Sequence, residues 1–366
     1  HATQARDRPS GWGRLGERGP PAQGLSAGGE TPAPIAFGWY DSGVDLDRML
    51  ARCREGQWHL DDVDWSRQPK ALSPELEREV VQYFTDMAQI ERLAGALFAE
   101  QRRRAKDSTL REIFTTFVVD EERHARAAER LAAHFDTRKL TSYRPSASLV
   151  AFRPRFLDAL RHVSAEVANA YIVGGELLLD IALLRSIDDF LADETCHDVM
   201  KLINRDESRH VAIDYFMIDY YASPAWARER ASAPRKSAGE LARAAYAFVG
   251  MLLTAKPFIR DVFVIPMTRV DPERRRMREA FKRMQLLSAK PGVAARPFSR
   301  FLNTMKLLYA SPVTHGTMGR FAERILRGPG EYLHNLYTEE EWERAKASSL
   351  DQLADEALAA KYAKYD

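Results

Sequence analysis

Cysteine is almost missing from this 366-residue chain: Cys53 and Cys196 are the only two. That excludes a disulfide-stapled scaffold and a cysteine-rich zinc site. An excess of one charge is missing as well. Lysine and arginine number 54 against 52 for aspartate and glutamate, a net charge of +2, and no basic surplus of the nucleic-acid-binding kind is left over. Long hydrophobic runs are absent. The longest, Ala244 to Ala255, stops at Lys256-Pro257 and is too short to cross a bilayer. Sustained apolar–polar alternation between turn signals, the mark of a half-buried strand, does not occur. Residues 1–38 lack periodicity altogether. They are rich in Gly, Pro, Ser and Arg without the apolar core of a signal peptide, so the segment 1–40 is expected to be disordered. The expectation is a cytoplasmic protein with no nucleic-acid or membrane partner.

The apolar fraction of 45% and charged fraction of 29% suit a globular chain. After an N-terminal arm at 41–72 it reads as helix upon helix. Ser73-Pro74-Glu75 is an N-cap, a first-turn proline and a first-turn acid, and opens a helix to about Lys106. Asp107-Ser108 caps a second, to about Phe135. A third is expected from about Pro154 to Phe190. A fourth follows Asp193 to about Tyr221. Ser223-Pro224 and the stretch to Lys236 break the chain. A fifth helix starts near Ser237 and must bend or stop at Pro257. Shorter helices follow, with a charged one from about Glu339 to the end. Four long helices in two hairpins describe an all-α four-helix bundle over residues 73–223, with residues 224–366 as a helical extension packed on it.

Two segments repeat. Residues 120–124 read Asp-Glu-Glu-Arg-His and residues 206–210 read Asp-Glu-Ser-Arg-His. Each contains Glu-x-x-His, which puts a carboxylate and an imidazole one turn apart on one helix face. A single such pattern is weak. The context strengthens it. Glu91 precedes Glu121 by 30 residues and Glu176 precedes Glu207 by 31, so at about 1.5 Å per residue each pair comes level across its hairpin. Glu91 shares its stripe with Phe84, Met87 and Phe98, and Glu121 and His124 share theirs with Phe114, Phe117 and Ala128. Ile172 and Val173 flank Glu176, while Met200 and Ile203 precede Glu207 and His210. Four inward carboxylates at one level are costly unless paired or metal-bound, and mixed carboxylate–imidazole ligands suit iron or manganese. Glu91, Glu121, His124, Glu176, Glu207 and His210 are therefore the expected ligands of two metal ions.

Asp193-Glu194-Thr195-Cys196-His197 imitates the motif. It opens the fourth helix, however, and would lie roughly 20 Å out of level with Glu176. Asp193 and Glu194 are read as helix-start acids. Asp120 and Asp206 are expected behind the ligands, each receiving the N–H of the histidine from the other hairpin. Arg123 and Arg209 either pair with them or face solvent. Asn169 and Asp214 extend the ligand stripes towards either the ligands or a polar substrate group. Phe84, Met87, Phe114, Phe117, Ile172, Val173 and Ile203 are candidates for an apolar substrate pocket. Gly174-Gly175 mark either close helix packing or a local distortion beside Glu176. The arginine runs at 102–104 and 274–276 read as solvated faces or a docking patch for an acidic redox partner.

With these residues in place, the segment 73–223 resembles the ferritin-like di-iron carboxylate proteins. They combine one Glu from each of two helices with Glu-x-x-His from each of the other two. The Asp-Glu-x-Arg-His form looks like their oxygen-activating branch. That branch includes ribonucleotide reductase small subunits, bacterial multicomponent monooxygenases, acyl-carrier-protein desaturases and p-aminobenzoate N-oxygenase. Three positions depart from those relatives. Ala128 stands where the reductase subunits keep a radical tyrosine, Ile203 where the N-oxygenases carry an extra histidine, and Asp180 where the monooxygenases place a threonine. Asp180 is thus either a proton donor near bound oxygen or the partner in a salt bridge to a neighbouring helix.

The resemblance implies an O2-dependent di-iron monooxygenase, with Fe/Fe or Mn/Fe metals. It would act on a small-molecule or carrier-bound substrate by hydroxylation or N-oxygenation, with electrons from a ferredoxin or reductase, and as a homodimer. The alternatives are an acyl-desaturase-like oxidase and a ferritin-like iron-oxidising or metal-carrying protein without an organic substrate.

Overall fold

The computed structural model describes residues 44–296 except 141, 163 and 235, a few positions between 299 and 307, and residues 334–363. The segment 1–40 and much of the stretch 297–333 lie outside the described residues. Among the described residues there is no strand, and the chain is all-α.

The N-terminal arm contributes α1 (Leu46–Glu55), capped by Asp45, whose carboxylate accepts from the Arg48 N–H at 3.0 Å. Four long helices follow. Helix α2 (Pro74–Arg104) starts behind Ser73, which accepts from the Leu76 N–H, with Pro74 in its first turn. Helix α3 (Ser108–Phe135) is capped by Asp107. Helix α4 (Ala147–Leu160) and helix α5 (Ala165–Leu191) divide the segment that the sequence suggests as one helix. The cause is local. Ser164 is extended and accepts from the Val167 N–H at 3.2 Å, so it restarts the chain as an N-cap. Pro154 sits inside α4 rather than opening a helix, next to the turn containing exposed Val150 and Arg153, where water can take up a released carbonyl. Ala192 in the left-handed conformation, φ 46°, closes α5, and Asp193 caps α6 (Glu194–Ala222) at once.

Ser223 then caps the short α7 (Pro224–Ser232). Helix α8 begins at Ala238 with a Ser237/Glu240 capping box and runs to Phe258. Pro257 neither stops it nor ends it, because the next turns widen into a π segment, Ile259–Val264, that leads into Ile265–Val270. Two shorter helices, α9 (Arg275–Leu287) and α10 (Pro291–Ala294), come next. The charged C-terminal segment is two helices, α11 (Glu339–Ala347) and α12 (Leu350–Lys361), because Ser349 caps the second.

Helix α5 is the only described helix long and apolar enough to cross a membrane by length and composition, and most of it is buried in the protein. Its middle, Leu178–Leu184, is a π turn directly after Glu176. Gly174, half-buried, and Gly175, exposed, lie just before that turn. A Cβ at Gly175 would meet nothing within 4 Å and one at Gly174 only the Met284 sulfur at 3.5 Å, so close packing is not what these glycines serve. Gly95 is different. A Cβ there would stand 3.2 Å from the Glu121 Cβ, so the missing side chain lets α2 and α3 approach where Glu121 turns inward.

The core is two apolar clusters stacked along the long helices. One holds Phe84, Met87, Ala128, Phe135, Val173, Met200 and Ile203. The other holds Phe98, Phe114, Phe117, Phe152, Phe156, Ile172 and Phe258. On α2 and α3 the boundary falls at Glu91 and Glu121–His124, and on α5 between Ile172 and Val173, one turn before Glu176.

The C-terminal helix is tied to the same region. Lys361, fully buried, forms an ion pair with Asp180 on the π turn, and its ammonium donates to the Asn204 carbonyl on α6 at 2.8 Å. Removing one partner of such a pair strands the other. Lys361→Met should therefore lower unfolding free energy by about 3–5 kcal/mol, and Asp180→Leu/Lys361→Met together should recover much of that loss. Urea unfolding of the three proteins checks this. A loss in the double variant equal to the sum of the Asp180→Leu and Lys361→Met losses would mean the pair carries no coupling.

Candidate metal centre

The expected ligands reach one buried layer from four helices: Glu91 from α2, Glu121 and His124 from α3, Glu176 from α5, Glu207 and His210 from α6. None is more than 3% exposed. They fall into two groups of four. Glu91, Glu121, His124 and Glu207 form one, and Glu121, Glu176, Glu207 and His210 the other, with the ligand atoms of each group all within 4.8 Å of one another. Glu121 and Glu207 belong to both. His124 Nδ1 lies 3.1 Å from Glu207 Oε1, and His210 Nδ1 lies 3.0 Å from Glu207 Oε2 and 3.3 Å from Glu121 Oε1.

The outer nitrogens of both rings turn to aspartates of the opposite hairpin. His124 Nε2 is 3.2 Å from Asp206 Oδ2, and His210 Nε2 is 3.4 Å from Asp120 Oδ2. This leaves each Nδ1 facing the carboxylates and fixes the ring orientation. Behind them two arginines close the charge. Arg123 binds Asp120 and reaches Asp206 at 3.0 Å, while Arg209 donates to Asp206 at 2.6 Å and lies 3.6 Å from Asp120. Of the two readings open for Arg123 and Arg209, the structure gives pairing rather than exposure.

Two residues that sequence reasoning does not single out complete this layer. The Trp58 indole N–H donates to Asp206 Oδ2 at 2.7 Å. The Gln57 amide donates to Asp120 Oδ1 at 3.0 Å and accepts from Arg123 at 2.8 Å. Both come from the arm after α1, and no spacing rule connects them to the motifs. The imitation motif stands apart. Asp193 caps α6, Glu194 is exposed beside Arg67, and the His197 ring pairs with Asp188 at 3.0 Å.

Asp180 lies one turn beyond Glu176 and is buried. Burial raises its pKa, Lys361 lowers it, and Glu207 raises it again, leaving it at about 6. Asp214, 1% exposed, has no hydrogen-bond partner on either carboxylate oxygen, and burial pushes its pKa well up. The Asn169 amide donates to the Asp214 backbone carbonyl at 3.3 Å. The seven expected pocket residues do not wall one space. Phe84, Met87, Val173 and Ile203 belong to one apolar cluster, and Phe114, Phe117 and Ile172 to the other. On that second side Phe117 and Phe98 pack on the His210 ring, with centroids 4.1 and 5.0 Å away. The arginine runs are mostly engaged in local pairs, such as Arg103 with Glu100 and Arg276 with Asp189.

The donor set fits divalent cations. Both oxygens of Glu91 and of Glu121, one each of Glu176 and Glu207, and His124 Nδ1 are buried without a hydrogen-bond partner. A native core rarely carries so many orphans, and cations would satisfy them together. Charge points the same way. Burial and the neighbouring Glu207 raise Glu91 to about 7 and lift Glu121 and Glu176 well above the carboxylate range. Against burial, Asp206 and Glu207 raise His124 to about 10, and Glu207 and Asp120 raise His210 to about 9. Without metal, protons do what cations would do. No known family model matches the chain, and no curated protein does.

The pH dependence follows. For Glu91, Glu121, Glu176 and both histidines the folded pKa lies above the unfolded one, so the stability they contribute is present at low pH and fades as pH rises. Metal-stripped protein should lose thermal stability from about pH 5.5 to about pH 8, whereas added Fe(II) or Mn(II) should raise Tm more at the higher pH. Scanning calorimetry with and without metal at both values checks it. A Tm indifferent to metal at both would count against the centre.

Proposed function

We propose that this protein is a non-haem di-iron oxygenase with a ferritin-like four-helix core, activating O2 to hydroxylate or N-oxygenate a small organic substrate. The observation that carries the reading is the sharing of Glu121 and Glu207 between two four-residue ligand groups. Carboxylates common to both groups would be held in common by two metal ions. Glu91 and His124 would complete one metal position, and Glu176 and His210 the other. Two irons held there would supply the one-electron steps that O2 chemistry needs.

The chain's own residues set the conditions. Asp120 and Asp206 hold the imidazoles in one orientation, and Arg123 and Arg209 pair with those aspartates. Phe98 and Phe117 exclude water on the His210 side. Asp180, with its pKa about 6, holds or yields a proton near neutral pH, and Lys361 anchors it. Balance requires two electrons and two protons per turnover. One oxygen atom enters the substrate and the other leaves as water, with the electrons drawn from a ferredoxin or reductase. Alanine at 128, fully buried, offers no redox-active side chain there, which favours substrate oxidation over a radical-storing subunit.

Anaerobic loading with Fe(II) should give about two irons per chain, and O2 with a reductant should yield an oxidised organic product. Formation of ferric iron alone would instead support the iron-oxidising alternative. His124→Ala and His210→Ala should each abolish turnover while leaving the helical circular dichroism largely intact, and His197→Ala should do neither. Loss of iron on His197→Ala but not on His210→Ala would overturn the choice between the two α6 motifs.

Asp180→Asn is a separate expectation. It should retain both irons but slow product formation by roughly 10²–10⁴-fold, the usual worth of a general acid. Unchanged turnover with reduced stability would leave Asp180 as a salt-bridging residue only.

A further inference from the structure

Helix α8 is apolar on the side that α4 covers and also on the side that it does not. Ala247, Met251 and Phe258 are buried, whereas Leu241, Tyr246, Val249, Leu252 and Leu253 are exposed, Leu253 by 74% and Tyr246 by 71%. At about 100° per residue these exposed positions, with Ala242 and Ala245, occupy one arc of the helix. Ile259 and Ile265 continue the exposed ridge through the π segment. From Leu241 to Ile265 the element is about 36 Å long. A helix apolar all round is normally enclosed, and an exposed patch of this extent marks an interaction surface.

The charges beside the ridge choose the partner. Between Leu241 and Val270 the bases are Arg243, Lys256, Arg260 and Arg269, and Asp261 is the only acid. Arg260 binds Asp261 at 2.6 Å, and Arg269 lies 3.3 Å from Glu79. Lys256 stands on the apolar arc itself, and Arg155 of α4 borders it, its Cδ 3.5 Å from where a Gly250 Cβ would be. Aliphatic side chains flanked by basic ones are what an anionic lipid interface binds, with lysine stems lying along the apolar surface and their heads in the phosphate layer. A two-fold pair of copies would bring like charges together.

The opposite, buried face of the same element joins the interior. Ala247, Met251, Phe258 and Val262 belong to the same apolar cluster as Phe98, Phe114, Phe117 and Ile172. The Phe152 ring stacks on Phe258 at 4.2 Å, and Phe117 touches the His210 ring.

We propose that α8 seats this protein on an anionic lipid surface, from which a lipophilic substrate passes through this cluster to the carboxylate layer. The docking stands independently of the metal chemistry, whereas the substrate class rests on the oxygenase reading.

Flotation of the iron-loaded protein with phosphatidylcholine vesicles, with or without about one quarter phosphatidylglycerol, tests it. Binding is expected to the anionic vesicles, weakened by salt. Val249→Glu/Leu253→Glu should abolish it, and Lys256→Glu should weaken it about fivefold, with iron content and helical circular dichroism unchanged in both variants. No vesicle binding by a protein that retains two irons overturns the docking and leaves the oxygenase reading intact. A dimer in sedimentation that Val249→Glu/Leu253→Glu splits overturns it too, since a second copy then covers the ridge. Vesicle binding that survives both glutamates does the same. Vesicle binding lost as expected in a protein that never holds iron supports the docking while removing the substrate route.

Discussion

Four carboxylates buried at one level carry more negative charge than an apolar core can hold, and the surrounding structure is arranged around that excess. Two divalent cations would neutralise Glu91, Glu121, Glu176 and Glu207. The next ring is already closed, with Asp120 and Asp206 opposed by Arg123 and Arg209. Asp180 is opposed by Lys361. Asp214 has no hydrogen-bond partner on either carboxylate oxygen, and there burial favours the neutral acid. Each buried charge of this layer is thus paired, pushed towards its neutral form or aimed at a cation position, as the cost of burying a lone ion demands.

This polar layer also divides the apolar core. Helices α2 and α3 change from one cluster to the other at Glu91 and Glu121–His124, and α5 one turn before Glu176. A continuous core would bury more apolar area for the same helices, so the layer costs stability that packing on either side must offset. It also makes the two sides of the centre unequal. One side meets aromatic rings against His210, while the other is lined by α9 and the C-terminal helices through Leu286, Leu353 and Leu358. The layer thus has two different walls.

The ligand layer is legible in the sequence because its signals are local and periodic. One turn separates Glu from His, and near-equal spacing across each hairpin brings four helices level. Caps are legible for the same reason: Ser73, Asp107, Asp193 and Ser237 act within three residues. The division of α4 from α5 escapes the sequence because Ser164 looks unremarkable inside an apolar-periodic stretch, and Pro154 draws the boundary to the wrong place. The pocket is over-read from periodicity alone. A helical stripe tells that Phe84 and Phe117 point inward, but not that the ligands lie between them. Trp58, Gln57 and Lys361 carry no signal at all, since their partners stand up to about 180 residues away and tertiary packing alone joins them.

Those three residues give the rest of the chain a purpose that four helices alone could not serve. A bundle helix can present a ligand inward and an aspartate behind it, but it cannot supply every countercharge and donor from the same stripe without crowding the layer. The arm before α2 delivers an indole and an amide to the two aspartates, and α12 delivers an ammonium to the π turn beside Glu176. Because these groups arrive from both ends of the described chain, the layer reaches its final electrostatic balance only when the whole unit is folded. The affinity of this layer for a cation and the global stability would then be linked through the same buried charges, and a change in either terminal element would reach the layer without touching any of its four glutamates or two histidines.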